Sequence, residues 1–351
     1  MSDTYDLRYS RQIGLAGFGT EGQQRLSEAR VLVIGAGGLG CPALQYLTAA
    51  GVGQIGVVDH DNVALHNLHR QILYSELDIG KYKAEAAVAR LRQLNSEIRI
   101  DAYPLYLDPT IAVDLMMPFD LVLDCTDDFA TRYLIDDVCY LLKKPLVYGA
   151  VHRYEGQVAV FDGTGSSCFR DLFPADEDNA NVRDCNSEGV IGALTGIVGT
   201  VQASEAIALL INGTSSLVNR LWTIDSRTLR TDLFEITFAG DHDRPSGMEQ
   251  VSYHPYEFRP SVVPEGALLV DLREEYEYGE GDAWTAGKEV LRLPLHELLA
   301  DKEQIPRNRA VAFFCATGHR SRLAANFLSQ TCGFENVIAI RPPRKQGSDH
   351  Q

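Results

Sequence analysis

Paired cysteines are the first thing this sequence of 351 residues lacks. Its seven cysteines, Cys41, Cys125, Cys139, Cys168, Cys185, Cys315 and Cys332, are odd in number, and no two stand in a C-x-x-C pair. That spacing excludes a zinc knuckle and a thioredoxin-type motif, and so low a cysteine density fits a reducing compartment. Basic residues are also short. There are 32 Lys plus Arg against 48 Asp plus Glu, a net charge of −16. A general nucleic-acid binder needs a basic face, so direct nucleic-acid binding is set aside, whereas a local Arg and Lys cluster for a small polyanion is not. No apolar run of membrane length goes uninterrupted. The most apolar stretch, Gly189 to Gly213, is broken by Gln202 and Glu205 and reads as a buried core helix rather than a membrane span. The opening MSDTYDLRYS has no basic region followed by an apolar stretch and is not read as a signal peptide. The expectation is a cytoplasmic protein with no membrane partner. Internal repeats and low-complexity tracts are missing as well.

What is present is a globular composition, 45% hydrophobic and 23% charged, over a length that suits two domains with cores of their own. Residues 1–240 alternate strand and helix. Strands are expected at Arg30 to Ile34, Ile55 to Val58, Phe119 to Leu123, Leu146 to Gly149 and Gln157 to Phe161. Helices are expected at Leu39 to Ala50, Lys81 to Leu94 and about Asp128 to Leu142. This alternation predicts an α/β fold with a Rossmann-like, doubly wound parallel sheet. Residues 163 to 188 have no periodicity and read as a long surface excursion, of a length that is usually functional. Residues 241–258, rich in Gly, Pro, Asp and His, read as a linker, and residues 259–345 carry a second, smaller α/β pattern. Its strands are expected at Leu268 to Leu272, Ala310 to Phe314 and Val337 to Ile340, with helices at Leu295 to Leu299 and Arg320 to Cys332.

The first strand ends in Gly35-Ala36-Gly37-Gly38-Leu39-Gly40, which opens a helix. In that setting G-x-G-x-x-G is a phosphate-binding turn: small residues let backbone N–H groups and the helix N-terminus approach a phosphate. Asp59 closes the next strand, where a carboxylate accepts hydrogen bonds from ribose hydroxyls. Alone, these features point to NAD or FAD. The residues after Asp59 shift the balance. Asn67-Leu68-His69-Arg70-Gln71, Lys83, and Asp124-Cys125-Thr126-Asp127-Asp128 all fall where open α/β sheets bind ligands. Hydride transfer has no need of Arg, Lys and carboxylates beside the phosphates, whereas nucleotidyl transfer does. The cations offset charge on the phosphate oxygens and a carboxylate holds magnesium. Taken singly, Arg70 and Lys83 also read as surface ion-pair partners and Asp127 as a helix N-cap.

These residues, with RYSRQI (Arg8 to Ile13), resemble the MoeB/ThiF branch of the ubiquitin-activating enzyme family, six separated motifs in the same order over about residues 5 to 238. The resemblance implies ATP- and magnesium-dependent adenylation of the C-terminal glycine of a small ubiquitin-like sulfur-carrier protein ending in Gly-Gly. It implies that Asp59 and the turn of Gly35, Gly37, Gly38 and Gly40 hold the nucleotide. Asn67, Arg70 and Lys83 then contact phosphates, Asp127 binds magnesium, and Asp128 is a further cofactor-binding residue. Arg11 reaches into the partner subunit's site, which makes the enzyme a homodimer. Cys185, in DCNSEGV, stands where relatives often carry a cysteine that forms a thioester or disulfide with the carrier. A thiolate beside a helix N-terminus is a better nucleophile, although an inert loop cysteine fits the position too. Many relatives also fix zinc with two C-x-x-C pairs. Here the first is reduced to Cys168 with Asp171, and no cysteine lies between 186 and 314, so no zinc is expected and Cys168 reads as a packing residue.

Cys315-Ala316-Thr317-Gly318-His319-Arg320-Ser321 follows a strand and precedes a helix. Such a loop turns backbone N–H groups inward around the sulfur, and Arg320 adds positive charge, which favours a thiolate or persulfide at Cys315. The same geometry suits a cysteine phosphatase. With LLVDLREEYEYGEG (Leu268 to Gly281), however, this loop resembles the rhodanese family over about residues 259 to 341. That pattern departs at Arg341-Pro342-Pro343, where rhodanese domains continue through a Gly-Gly turn into a final helix. Asp271 and Arg273 read as a structural ion pair. The resemblances together imply a sulfurtransferase step in which Cys315 takes sulfur from thiosulfate or a cysteine desulfurase persulfide. The competing readings are an NAD-dependent oxidoreductase with an appended domain and an inactive dimeric scaffold.

Overall fold

The computed structural model describes residues 3–173, 189–236, 244–251, 263–264, 266–273, 285, 287–315, 321, 324–325, 328, 334 and 336–340. Cys185, Arg320 and most of the helix expected from Arg320 to Cys332 lie outside these residues. The chain forms two compact units that divide between Pro255 and Tyr256.

The first unit opens with two helices, α1 (Asp3–Ile13) and α2 (Gly19–Glu28). Their sequences are predominantly polar. Then come β1 (Arg30–Ile34), α3 (Gly40–Ala50), β2 (Gln54–Val58), α4 (Lys83–Leu94) and β3 (Arg99–Tyr103). Next are α5 (Pro109–Met116), β4 (Leu121–Asp124), α6 (Phe129–Leu142), β5 (Leu146–His152) and β6 (Glu155–Phe161). The short α7 (Phe169–Leu172), the long α8 (Gly192–Asn212), β7 (Arg220–Asp225) and β8 (Arg230–Glu235) complete it. The strand order is β3-β2-β1-β4-β5-β6-β7-β8. β3 to β5 are parallel, as expected. The sheet is not parallel throughout, because β6, β7 and β8 add antiparallel strands. The reversal comes from the tight loop between His152 and Glu155, in which Arg153 takes a φ of 54°. Two residues cannot make a parallel crossover.

β1 sits between β2 and β4, so the order reverses there and a crevice opens at the carboxyl ends of these three strands. Both faces are covered. One core contains Val31, Val33, Leu44, Leu47 and Leu91, and the other Leu32, Ile34, Val122, Leu134 and Tyr148. α8 is long and apolar enough to cross a membrane by composition, yet it contributes Leu194, Val198, Ala203 and Ala206 to the first core. Its two polar interruptions have internal partners. Gln202 Nε2 donates to the Asp124 carbonyl at 2.8 Å, and Glu205 accepts from Leu217 N–H and Ser216 Oγ, each at 3.0 Å.

One expectation needs correcting here. Residues 163 to 188 are not all a surface excursion, since Ser167, Cys168, Phe169 and Arg170 are buried. Within the expected linker, Arg244 pairs with buried Asp136 at 3.7 Å, and Val251 joins the second core.

The second unit contains β9 (Leu268–Asp271), β10 (Val290–Arg292), α9 (Leu295–Ala300), β11 (Val311–Phe314) and β12 (Val337–Ala339). Its four strands are parallel in the order β10-β9-β11-β12. Alternate residues of β9 and β11 pack on opposite faces, Val270, Val311 and Phe313 on one and Leu269, Ala312 and Phe314 on the other.

Candidate functional site

The crevice at β1, β2 and β4 is built first by close backbone packing. Gly35, with φ of 96°, comes directly after β1, and a Cβ there would lie 2.6 Å from the Cys125 carbonyl oxygen. A Cβ on Gly40 would collide with the Gly35 carbonyl. Any side chain at these two positions would push the turn off its neighbours. Asp59 fastens the same turn, because its Oδ2 accepts from Ala36 N–H at 2.8 Å and its Oδ1 from Asp61 N–H at 2.9 Å. Each carboxylate oxygen has a second lone pair, so ribose binding remains compatible with this role. Tyr74 braces the turn from below, its hydroxyl donating to the Ala36 carbonyl at 2.7 Å.

The cations come next. Lys83 is the first residue of α4, where the helix dipole and its own burial both oppose an ammonium. Burial acts to lower its pKa, but Asp59, Asp61 and Asp127 together hold it above the usual lysine value. Its Nζ lies 2.8 Å from Asp61 Oδ2. The surface ion-pair alternative therefore fails for Lys83, which is a buried and charged group. Arg70 is half-buried, and its Nη2 donates to Asn67 Oδ1 at 2.9 Å. Asn67 thus orients Arg70, a role additional to the phosphate contact expected of it. Burial pulls the Arg70 pKa down, and the charge of Asp127 pulls it back up.

Asp127 is exposed, and its charge acts on both Arg70 and Lys83. It is not the helix cap. Asp128 is, its Oδ1 accepting from Thr131 N–H at 2.9 Å. The structure thus brings the Gly35–Gly40 turn, Asp59, Asn67, Arg70, Lys83 and Asp127 to one sheet edge and gives Asp128 a capping function. Arg11 lies exposed in the last turn of α1, and no described contact joins it to the others. Sequence reading missed Asp61, Tyr74 and Arg132. Only Asp61 left a signal, its spacing of two from Asp59.

The residues fit a nucleotide with its metal. Beyond Gly35 and Ala36, whose N–H groups bond to Val58 and Asp59, the turn offers backbone N–H groups at a helix start, Arg70 and Lys83 offer cations, and Asp127 offers a hard oxygen ligand. Among the described residues, Asp59, His60 and Asp61 also have ligand atoms within 4.8 Å of one another. The Lys83 ammonium already occupies the position of a cation beside Asp61. Cys168 is buried and caps α7, its N–H donating to Asp171 Oδ2 at 2.8 Å. The aspartate at the place of a second cysteine closes a capping box.

In the second unit, β9 ends in Asp271, which holds Arg273 through two bonds of 2.9 and 2.7 Å, both residues being buried. This is the structural ion pair expected from the sequence. Cys315 directly succeeds β11 at the carboxyl edge, is buried, and lies with its sulfur 3.9 Å from Ser321 Oγ.

Comparison with known proteins agrees with this division. The ThiF family profile matches residues 9–244, and the rhodanese-like domain profile residues 260–341. The adenylyltransferase and sulfurtransferase MOCS3 of Anopheles gambiae is 46% identical over 95% of this chain and 84% of its own length. The sulfur carrier protein adenylyltransferase of Thermus thermophilus is 43% identical over 71% of this chain and 95% of its own. Among solved structures, Escherichia coli MccB superposes with a TM-score of 0.58 at 20% identity, over 69% of this chain and 75% of that one, a likeness of fold. The chain belongs to the ThiF family and carries a C-terminal rhodanese-like domain.

Proposed function

We propose that this enzyme activates a small ubiquitin-like sulfur-carrier protein with ATP and magnesium and converts its C-terminal carboxylate to a thiocarboxylate. The observation that carries the reading is the convergence of the Gly35–Gly40 turn, Arg70, Lys83 and Asp127 at the switch point of the sheet. The carrier's terminal carboxylate attacks the α-phosphorus of ATP. Pyrophosphate leaves, and an acyl-adenylate forms. Arg70 and Lys83 neutralise charge on the phosphates, and Asp127 would hold the magnesium ion, which would supply further positive charge against the leaving pyrophosphate. Arg11, exposed on α1, is assigned to the partner's site in a homodimer.

Sulfur comes from the second unit. Cys315, loaded as a persulfide by thiosulfate or a cysteine desulfurase, attacks the acyl carbon with its terminal sulfur and AMP leaves. The product is an acyl disulfide between carrier and Cys315. A second thiolate, assigned to Cys185, attacks the Cys315 sulfur. The S–S electron pair departs with the carrier as its thiocarboxylate, and an external thiol reduces the Cys185–Cys315 disulfide.

The test is carrier-dependent exchange of labelled pyrophosphate into ATP, followed by the mass of the carrier, which gains about 16 Da when sulfur replaces oxygen at the acyl group. Binding of NAD in place of ATP, with no exchange, would favour the oxidoreductase. No exchange and no nucleotide binding would favour the scaffold.

A further inference from the structure

The segment Cys125-Thr126-Asp127-Asp128 has to present one carboxylate to the crevice while its own backbone stays fixed. Three side chains fix it. Asp124, buried at the end of β4, accepts from Thr126 N–H at 2.9 Å and from Thr126 Oγ1 at 2.6 Å. Asp128 anchors the far end as the cap of α6. The third is Arg132, in the first turn of α6 and only 3% exposed. Its Nη2 donates to the Thr126 carbonyl at 2.7 Å, and its Nε lies 4.0 Å from Asp124 Oδ2. Its guanidinium is held over the rings of Phe129 and Tyr148, 5.4 and 5.3 Å from their centroids. The carbonyl of Thr126 and the N–H of Asp127 belong to one planar peptide unit. Asp124 therefore sets the peptide plane before Thr126, and Arg132 sets the plane after it, from which Asp127 departs.

We propose that Arg132 is a positioning residue for Asp127: it locks the Thr126–Asp127 peptide so that the Asp127 carboxylate meets a divalent cation carried by a nucleotide triphosphate. The inference rests on the adenylation reading and extends it to a residue that touches neither nucleotide nor carrier. A burial role alone would be satisfied by any well-packed side chain. The bond to the Thr126 carbonyl and the two aromatic faces instead specify one planar, forked group.

The test uses the full chain with Mn2+ as probe, its binding monitored by electron paramagnetic resonance in the presence of a non-hydrolysable ATP analogue. Arg132→Lys keeps the charge but not the fork, and should weaken nucleotide-dependent Mn2+ binding about tenfold, the usual cost of losing a group that orients a metal ligand. The apparent KM for magnesium in pyrophosphate exchange should rise more than kcat falls. Phe129→Leu removes one ring face at a half-buried position and should weaken Mn2+ binding by about threefold. If Arg132→Lys does not fold, Phe129→Leu decides the matter alone. Mn2+ affinity within about twofold of wild type in the folded variants would overturn the positioning role while leaving the adenylation reading standing. A wild-type chain with no nucleotide-dependent Mn2+ site would overturn both.

Discussion

At the scale of single residues, the crevice holds several carboxylates that brace the fold and one, Asp127, that lies exposed and is proposed to meet the metal. Asp59, Asp61, Asp124 and Asp128 each accept a bond from the protein itself. Asp127 lies exposed among them and acts on two cations through its charge. Because it is exposed, its removal should cost far more in chemistry than in stability. Asp127→Ala is expected to fold with wild-type thermal stability and to lose about 100-fold or more in carrier-dependent pyrophosphate exchange. Exchange at the wild-type rate would remove Asp127 from the metal site. The cluster itself was legible in the sequence because Gly35, Asp59 and Asp127 stand just after strand ends, Arg70 lies in a short motif and Lys83 opens a helix. Arg132 and Tyr74 were not, because their importance lies in which carbonyl they reach, and no linear spacing encodes that.

At the scale of elements, α6 joins the site to a buried charge network farther along the helix. Asp136 and Asp137 project from α6 into contact with Arg170, which bonds Asp137 at 2.6 and 3.0 Å and Asp136 at 3.3 Å. Burial pushes the Asp137 carboxyl up to about 6 against the pull of Arg170, and it raises Asp136 as well. Native carboxyls raised in this way bind protons that the unfolded chain has already lost. Their share of stability thus falls as pH rises through about 6. Arg170→Met leaves Asp137 without its main partner and Asp136 with Arg244 alone, and should cost about 3–5 kcal/mol at pH 8. Lowering the pH to about 5 lets the carboxyls protonate, and the difference from wild type should shrink there. A deficit that does not change between the two pH values in chemical denaturation would contradict the network's role. This contact explains why residues 163 to 188 misled the reading of the sequence. A charged residue in a segment without periodicity looks exposed, and only the carboxylates of α6 make burial of Arg170 tolerable. Strands with apolar runs, such as β1 and β4, were legible for the opposite reason. β3 and β8, at the two edges of the sheet, carry alternating or exposed polar residues and gave no such run.

At the scale of the whole molecule, the candidate groups of both units fall at the carboxyl ends of parallel strands, and this shared rule is why strand ends drew attention to them in the sequence. The parts not legible were those set by long-range packing: the antiparallel extension β6 to β8 and the anchoring of Arg244 and Val251. The first unit fixes residues 167–173 by the Cys168 capping box and the Arg170 ion pairs. Purified protein is accordingly expected to contain less than about one-tenth of a zinc ion per chain, since a structural site wants four ligands. Stoichiometric zinc by elemental analysis would mean that histidines or aspartates complete a site around Cys168.

The division of the molecule also separates two reactions that one assay can report apart. Adenylation needs no thiol, because the carrier carboxylate is the nucleophile toward the α-phosphorus. In the proposed mechanism sulfur delivery needs Cys315, the residue directly after β11 at the sheet edge. Cys315→Ala should therefore keep pyrophosphate exchange within about twofold of wild type while abolishing thiocarboxylate formation from thiosulfate. Added inorganic sulfide should restore the product, because sulfide attacks the acyl-adenylate directly. Cys185→Ala tests the resolving step in the same assay. An obligatory thiol gives complete loss with accumulation of the carrier–Cys315 acyl disulfide, and a dispensable one gives partial loss. Mass spectrometry of the carrier after a single turnover reads each outcome as the presence or absence of the gain of about 16 Da. Thiolation of the carrier by Cys315→Ala from thiosulfate alone would mean that the second unit is not the sulfur donor, and the donor would then have to be a separate persulfide protein acting on the acyl-adenylate.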